Sequence, residues 1–230
     1  MRIYVDHAKI ERRARLGQIL IGAGLASFVI GLIISFVRPE QIPVVLATAL
    51  IGLVLSQGGN VVFSRWGRSP RMDQVIDDAL KGLNDNYALI HYAFGADHFM
   101  VSPAGVFLIS PRPEEGEITF ENGEWWQEVP KRGLLRRGGR RSLGDLGKRA
   151  ARDARKLTHR LEKATPELEG VDLEPILLFV HEDAEVRVED APLPCVHFKK
   201  IKGWIRKQPR GASLSQDQQE RLVEEAGLQS

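Results

Sequence analysis

Cysteine is almost missing from this chain of 230 residues. Cys195 stands alone, which excludes an intrachain disulfide and a cysteine-cluster zinc site. Charge is missing from two long stretches. Leu16–Val37 (LGQILIGAGLASFVIGLIISFV) has no Asp, Glu, Lys or Arg, and neither has the run from Gln41 to Ser64. With no ionisable side chain inside either run, an ion or proton path through them is excluded. Internal repeats and long low-complexity tracts are also absent, so solenoid and collagen-like architectures drop out. His91, His159, His181 and His197 show no metal-ligand spacing along the chain.

What is present begins with those uncharged runs. At about 1.5 Å rise per residue, each matches the roughly 30 Å hydrocarbon core of a bilayer. Arg38, Pro39 and Glu40 separate them, so the expectation is a transmembrane helical hairpin over 16–64, preceded by a basic, helical or frayed lead-in over 1–15. A cleaved signal peptide would have a shorter apolar region and no second run. Lys9, Arg12, Arg13 and Arg15 precede the first helix, and Arg65, Arg68 and Arg71 follow the second. The positive-inside rule then places both termini on the cytoplasmic side of the cell inner (plasma) membrane, with Trp66 at headgroup level. Small residues recur every fourth position at Ala23, Ser27, Gly31 and Ser35, and at Thr48, Gly52 and Ser56, so the two helices are expected to pack along these rows. Gln57 and Asn60, three apart, share a face and are expected to bond across the pair.

The remainder is long enough for one domain with its own core. Ser69-Pro70 reads as a helix start, and Met72, Val75, Ile76, Ala79, Leu80 and Leu83 form one apolar stripe. A meander follows: Tyr87–Phe94, His98–Ser102, Val106–Ser110, Gly116–Glu121 and, after the Asn122-Gly123 turn, Glu124–Val129. Between Lys131 and Lys163 stand thirteen Lys and Arg against three acidic residues, a net of +10 in a chain whose total is +2. Lys131–Arg141 reads as a loop. Ser142-Leu143-Gly144-Asp145 resembles a capping box, and Leu143, Leu146, Ala150, Ala154, Leu157 and Leu161 mark the buried face of a helix that is basic on its other side. Glu174–His181, Glu185–Glu189 and Cys195–Phe198 read as strands, and Lys200–Lys207 and Ser215–Gly227 as short helices. Divided this way, the α/β domain spans 69–207, and 208–230 is a C-terminal amphipathic helix or tail.

The run Ala96-Asp97-His98 to Ile109, with its Pro103-Ala104-Gly105 turn, followed by Gly116-Glu117-Ile118 and Gly123-Glu124-Trp125-Trp126, resembles the nuclease-related domain (NERD) family. The resemblance implies a restriction-endonuclease-like α/β fold, with a mixed sheet flanked by helices, and metal-dependent nuclease chemistry. In such a core an Asp on one strand and a Glu on the next hold a divalent ion, and a Lys two residues past the Glu assists water. Asp97 matches the Asp and Asp73 stands where the family has a helical Glu. Ser110-Pro111-Arg112 replaces the Glu-x-Lys element, and Arg149 falls near an expected Gln. Arg112, always protonated, cannot act as a base.

A catalytically degenerate, membrane-anchored nuclease-like module is therefore the expectation, with Asp73, Asp97 and Arg112 as its degenerate catalytic positions and no metal or other cofactor. Its phosphate or lipid contacts fall to Arg136, Arg137, Arg140, Arg141, Lys148, Arg149, Arg152, Arg155 and Lys156, which suit DNA or anionic lipid headgroups. Two alternatives stay open. One is an active nuclease in which Glu114, Glu115 or Glu117 joins Asp97 around Mg²⁺; the other is a structural subunit held to a membrane protein partner by the hairpin.

Overall fold

The computed structural model describes residues 1–129, 138–164, 173–209 and 214–228. The chain falls into two units. One comprises Met1–Asp6 together with Asp73–Ser230, and the other is His7–Met72. The first strand, β1 (Arg2–Val5), pairs in parallel with β2 (Ala88–His91), so the start of the chain is built into the α/β unit's sheet. This corrects the expected lead-in over 1–15: Ile3, Tyr4 and Val5 form a short β-branched and aromatic run, and helix begins only at His7.

The helical unit consists of α1 (His7–Val37) and α2 (Ile42–Trp66), both long and apolar enough to cross a membrane. Every strongly exposed large apolar side chain among the described residues lies between Leu16 and Val61. The buried positions of α1 are Ile10, Gly17, Gly24 and Gly31, and those of α2 are Gly52, Gly59 and Trp66. Close packing therefore follows a row of every seventh residue, and Ala23 and Ser35 from the expected four-residue row are exposed. Seven residues nearly complete two turns and drift about 20° around a helix, whereas each step of four drifts about 40°. A Cβ on Gly59 would lie 2.8 Å from the carbonyl oxygen of Gly17, and one on Gly52 would lie 2.9 Å from that of Gly24. The backbones thus touch where glycine permits. Ser27 Oγ donates to the carbonyl of Thr48 at 2.8 Å, while Gln57 and Asn60 face outward.

The α/β unit carries two sheets, where one mixed sheet was expected. After α3 (Met72–Leu80), β2, β3 (His98–Ser102) and β4 (Gly105–Arg112) run antiparallel to one another. The chain then leaves for a second sheet made of β5 (Gly116–Glu121), β6 (Glu124–Val129) and β7 (Gly139–Gly144). After α4 (Leu146–Ala164) it returns to β8 (Leu173–Phe179), parallel to β4. Next, β9 (Ala184–Arg187) joins the second sheet beside β5, and β10 (Cys195–His197) joins the first beside β8, before α5 (Phe198–Lys207) and α6 (Gln216–Glu225). The orders are β1-β2-β3-β4-β8-β10 and β7-β6-β5-β9. Period-2 alternation identifies strands but carries no information on which sheet each one enters.

Helix α4 was legible in its stripe: Leu146, Ala150, Ala154, Leu157 and Leu161 are all buried. Its cap differs from the expected Ser142 box. Ser142 lies within β7, and Asp145 Oδ1 accepts the Lys148 amide at 2.8 Å. Residues Lys131–Gly138 of the expected loop are described only at Gly138, and Gly139–Arg141 belong to β7. Ala154, Leu157 and Leu161 pack with Phe99, Val101 and Leu108 and with Leu214, Leu222 and Val223 around α6, so the C-terminal helix is part of this core and not a separate tail.

Candidate functional site

Asp73 and Asp77 lie one turn apart on α3, so both project toward the same strands. Asp73 is buried and accepts from Tyr92 Oη at 3.2 Å. Register pairs His91 on β2 with His98 on β3, and their Nδ1 atoms are 2.7 Å apart. His91 Nε2 lies 3.0 Å from Asp77 Oδ1. A carboxylate can only accept, so His91 Nε2 is the donor toward Asp77, and one proton is shared along the Nδ1–Nδ1 contact. The two imidazoles are buried, and their bonds tie α3 to the sheet instead of facing a substrate.

Asp97 stands at the bend that follows Tyr92. The bend between β2 and β3 holds Tyr92 at φ 65° and Phe94 at φ 48°, and the Tyr92 amide donates to the Asp97 carbonyl at 2.7 Å. The Asp97 residue itself is exposed at the tip. Ser110 and Arg112 end β4, where Arg112 Nη2 meets Glu114 Oε1 at 2.6 Å. A hard dication needs converging oxygens. Asp97, exposed, Ser110, a hydroxyl, and Arg112, a guanidinium engaged by Glu114, do not supply such a set, while Asp73 is buried and accepts from Tyr92.

A different grouping forms where the second sheet begins. Gly116 at φ 82° starts β5, and a Cβ there would collide with the Glu128 carbonyl, so only glycine lets this corner close. Pro113, Glu114, Glu115, Gln127, Val129, Gly139, Arg140, Arg141 and His181 line a cavity of about 540 Å³. Buried Gln127 donates to the Glu115 carbonyl at 2.6 Å and accepts from Arg141 Nε at 2.6 Å. Glu115, His181 and Asp183 place ligand atoms within 4.8 Å of one another, the one such group of three among the described residues. Glu115 and His181 lie 66 positions apart in the chain, and only the pairing of β5 with β9 brings them together. No spacing rule could have found this.

The cationic surface follows α4. Lys148, Arg149, Arg152, Arg155, Lys156 and Arg160 are all exposed along its outer side, interrupted by Asp153. Lys148 holds the Asp145 carboxyl below the ordinary carboxylate range, and is itself raised by it. Arg140 and Arg141 sit on β7, the edge strand of the second sheet. Arg140 lies 4.7 Å from the centre of the Trp126 ring and bonds Glu121 at 2.5 Å, which lowers the Glu121 pKa. Arg136 and Arg137 lie outside the described residues. Of the sequence-derived positions, the fold thus gathers the α4 cations on one helix, buries Asp73, and leaves Asp97 exposed at the β2–β3 bend.

No protein-family model, no curated protein and no solved structure matches this chain.

Proposed function

We propose that the chain is a membrane-anchored, catalytically degenerate nuclease-like module whose α4 docks on anionic lipid headgroups. The observation that carries this reading is the pairing of two surfaces in one chain: strong exposure of large apolar side chains that, among the described residues, is confined to Leu16–Val61, and six exposed cations along α4. Apolar area of that extent in contact with water is costly, and acyl chains are its natural solvent. Because β1 and α3 both belong to the α/β unit, both outer ends of the hairpin lead into it, and Lys9, Arg12, Arg65 and Arg68 flank those ends. By the positive-inside rule the α/β unit then lies on the cytoplasmic side, beside the negatively charged leaflet.

The nuclease-like part of the reading is supported by the larger sheet, in which β2, β3 and β4 follow α3 as an antiparallel run and β8, reached after β5-β6-β7 and α4, lies parallel to β4. That arrangement is expected of a restriction-endonuclease-like core. Its degeneracy rests on Ser110 and Arg112 in place of the Glu-x-Lys pair. The same topology favours a second reading, in which the α4 cations contact nucleic-acid phosphates without reading bases.

One experiment separates the two. The full chain is placed in nanodiscs of phosphatidylcholine alone, or with roughly one-third phosphatidylglycerol, and hydrogen exchange and arginine labelling along α4 are followed. Protection that needs phosphatidylglycerol and disappears in high salt supports lipid docking. Protection that appears only with added duplex DNA supports the second reading, and none under either condition refutes both.

A further inference from the structure

We propose that Glu115, His181 and Asp183 form a binding site for one divalent transition-metal ion at the rim of the cavity beside β5. The argument begins with register. Gly116 opens β5 and Ala184 opens β9, and these two residues are paired in parallel strands. The residues just before them, Glu115 and Asp183, are therefore held side by side. The Gly116 amide donates to the Asp183 carbonyl at 2.9 Å, and the Ala184 amide to the His181 carbonyl at 3.1 Å, so the turn carrying His181 is fixed against the same corner. The backbone places all three ligands before any ion arrives, which reduces the ordering cost of binding.

A second observation lies in the adjoining cavity. Glu114 lines it, and Glu114 Oε2 is fully buried with no hydrogen-bond partner, although its other oxygen is held by Arg112. A buried carboxylate oxygen without a donor is costly, and it leaves unmet acceptor capacity in the wall of this cavity. The donor set decides the class of ion. Two carboxylates and one imidazole suit Zn²⁺ or Mn²⁺, whereas Mg²⁺ and Ca²⁺ prefer all-oxygen shells.

His181 Nδ1 accepts the Asp183 amide at 3.1 Å, and Nε2 lies 3.9 Å from Glu115 Oε2. Loading an ion at Nε2 moves the ring proton to Nδ1 and releases that amide, an adjustment confined to one turn. Glu115 and His181 line the cavity together with Arg140 and Arg141, whose charge suits a small anion beside the ion. The site is separate from Asp97 and does not depend on lipid docking.

The test uses the full chain in neutral detergent, titrated with Mn²⁺ alone and with Zn²⁺ alone by calorimetry, with paramagnetic resonance reporting Mn²⁺. One ion per chain is expected in the micromolar range. Glu115→Gln and His181→Gln should each weaken it at least about tenfold, while His159→Gln on exposed α4 leaves it unchanged. Circular dichroism identifies a variant that fails to fold, and Asp183→Asn then provides the same comparison. Absence of saturable binding, binding untouched by the ligand substitutions, or a preference for Mg²⁺ over both transition metals overturns the proposal. None of these readouts involves lipid, so the result stands apart from that of the nanodisc experiment.

Discussion

Replacing Arg149, Arg152 and Arg155 together by glutamine tests the proposed docking of α4 on anionic lipid. Among the six exposed cations, Lys148 is paired with Asp145 at 2.8 Å, Lys156 lies 3.7 Å from Asp153, and Arg160 donates to the Phe94 carbonyl at 3.0 Å. The three arginines therefore carry most of the charge not already engaged by a neighbour. A basic residue near an anionic leaflet is worth about 1 kcal/mol, so the triple change removes about 3 kcal/mol, on the order of a hundredfold in partitioning. The assay needs the α/β unit without its apolar helices. Met1–Asp6 and Asp73–Ser230 belong to one unit, so a flexible Gly/Ser linker in place of residues 7–72 joins β1 to α3. Co-sedimentation of this protein with phosphatidylglycerol vesicles, against phosphatidylcholine vesicles, gives the partition coefficient. Since all three side chains are exposed, the melting temperature should hold steady. Raising salt from about 0.1 M to 1 M shortens the screening length from about 10 Å to 3 Å and should reproduce much of the loss. Equal partitioning of the parent and triple variant, or binding indifferent to salt, would refute the reasoning.

Further predictions concern other parts of the fold. Burial pushes the Cys195 thiol from 9.0 up to about 12, so at pH 8 its thiolate fraction falls by about a thousandfold; labelling by a thiol reagent should be correspondingly slow in the folded chain and fast in denaturant. Asp145→Ala removes the cap of α4 and should lower the melting temperature. Because Lys148 lowers the Asp145 pKa, this contribution is present above about pH 4 and is lost as the pH falls through the folded value; the melting temperatures of parent and variant should therefore converge in acid. Gly59→Leu inserts side-chain atoms where a Cβ already lies 2.7 Å from the Ile21 amide nitrogen, so α1 and α2 must separate. Loss of cysteine cross-linking across the pair in a Ser27→Cys, Thr48→Cys background would show this, and undiminished cross-linking would count against the heptad seam.

Much of the fold was legible because it rests on short-range pattern. The stripe from Leu146 to Leu161 gave α4 and its buried face, and Asn122-Gly123 marked the turn between β5 and β6. Trp125 and Trp126 separated as alternation requires, the first buried and the second half-exposed beneath Arg140. What escaped depends on partners remote in sequence. Arg2–Val5 is too short and too charged to read as a strand until β2 stands beside it. The seam of α1 and α2 was read in part: Ser27, Gly31, Thr48, Gly52 and Ser56 lie at it and Ala23 and Ser35 do not, because rows of four and of seven share Gly31 and Gly52 and only helix crossing geometry chooses between them. The grouping of Glu115 with His181 and Asp183 was invisible for a similar reason: it is a product of strand pairing, and none of the three has a distinctive neighbour.

The pairing of β1 with β2 also sets an order of events during synthesis. Arg2–Val5 leave the ribosome before Ala88–His91, with which they pair and which follow some 86 positions later, after both apolar helices have emerged. The edge of the larger sheet must therefore wait, single-stranded, while the most insoluble part of the polypeptide is delivered. A chain stalled between the helices and β2 would expose a strand with no mate and greasy segments with no cover, and rescue of such nascent chains depends on how quickly the helices find their solvent.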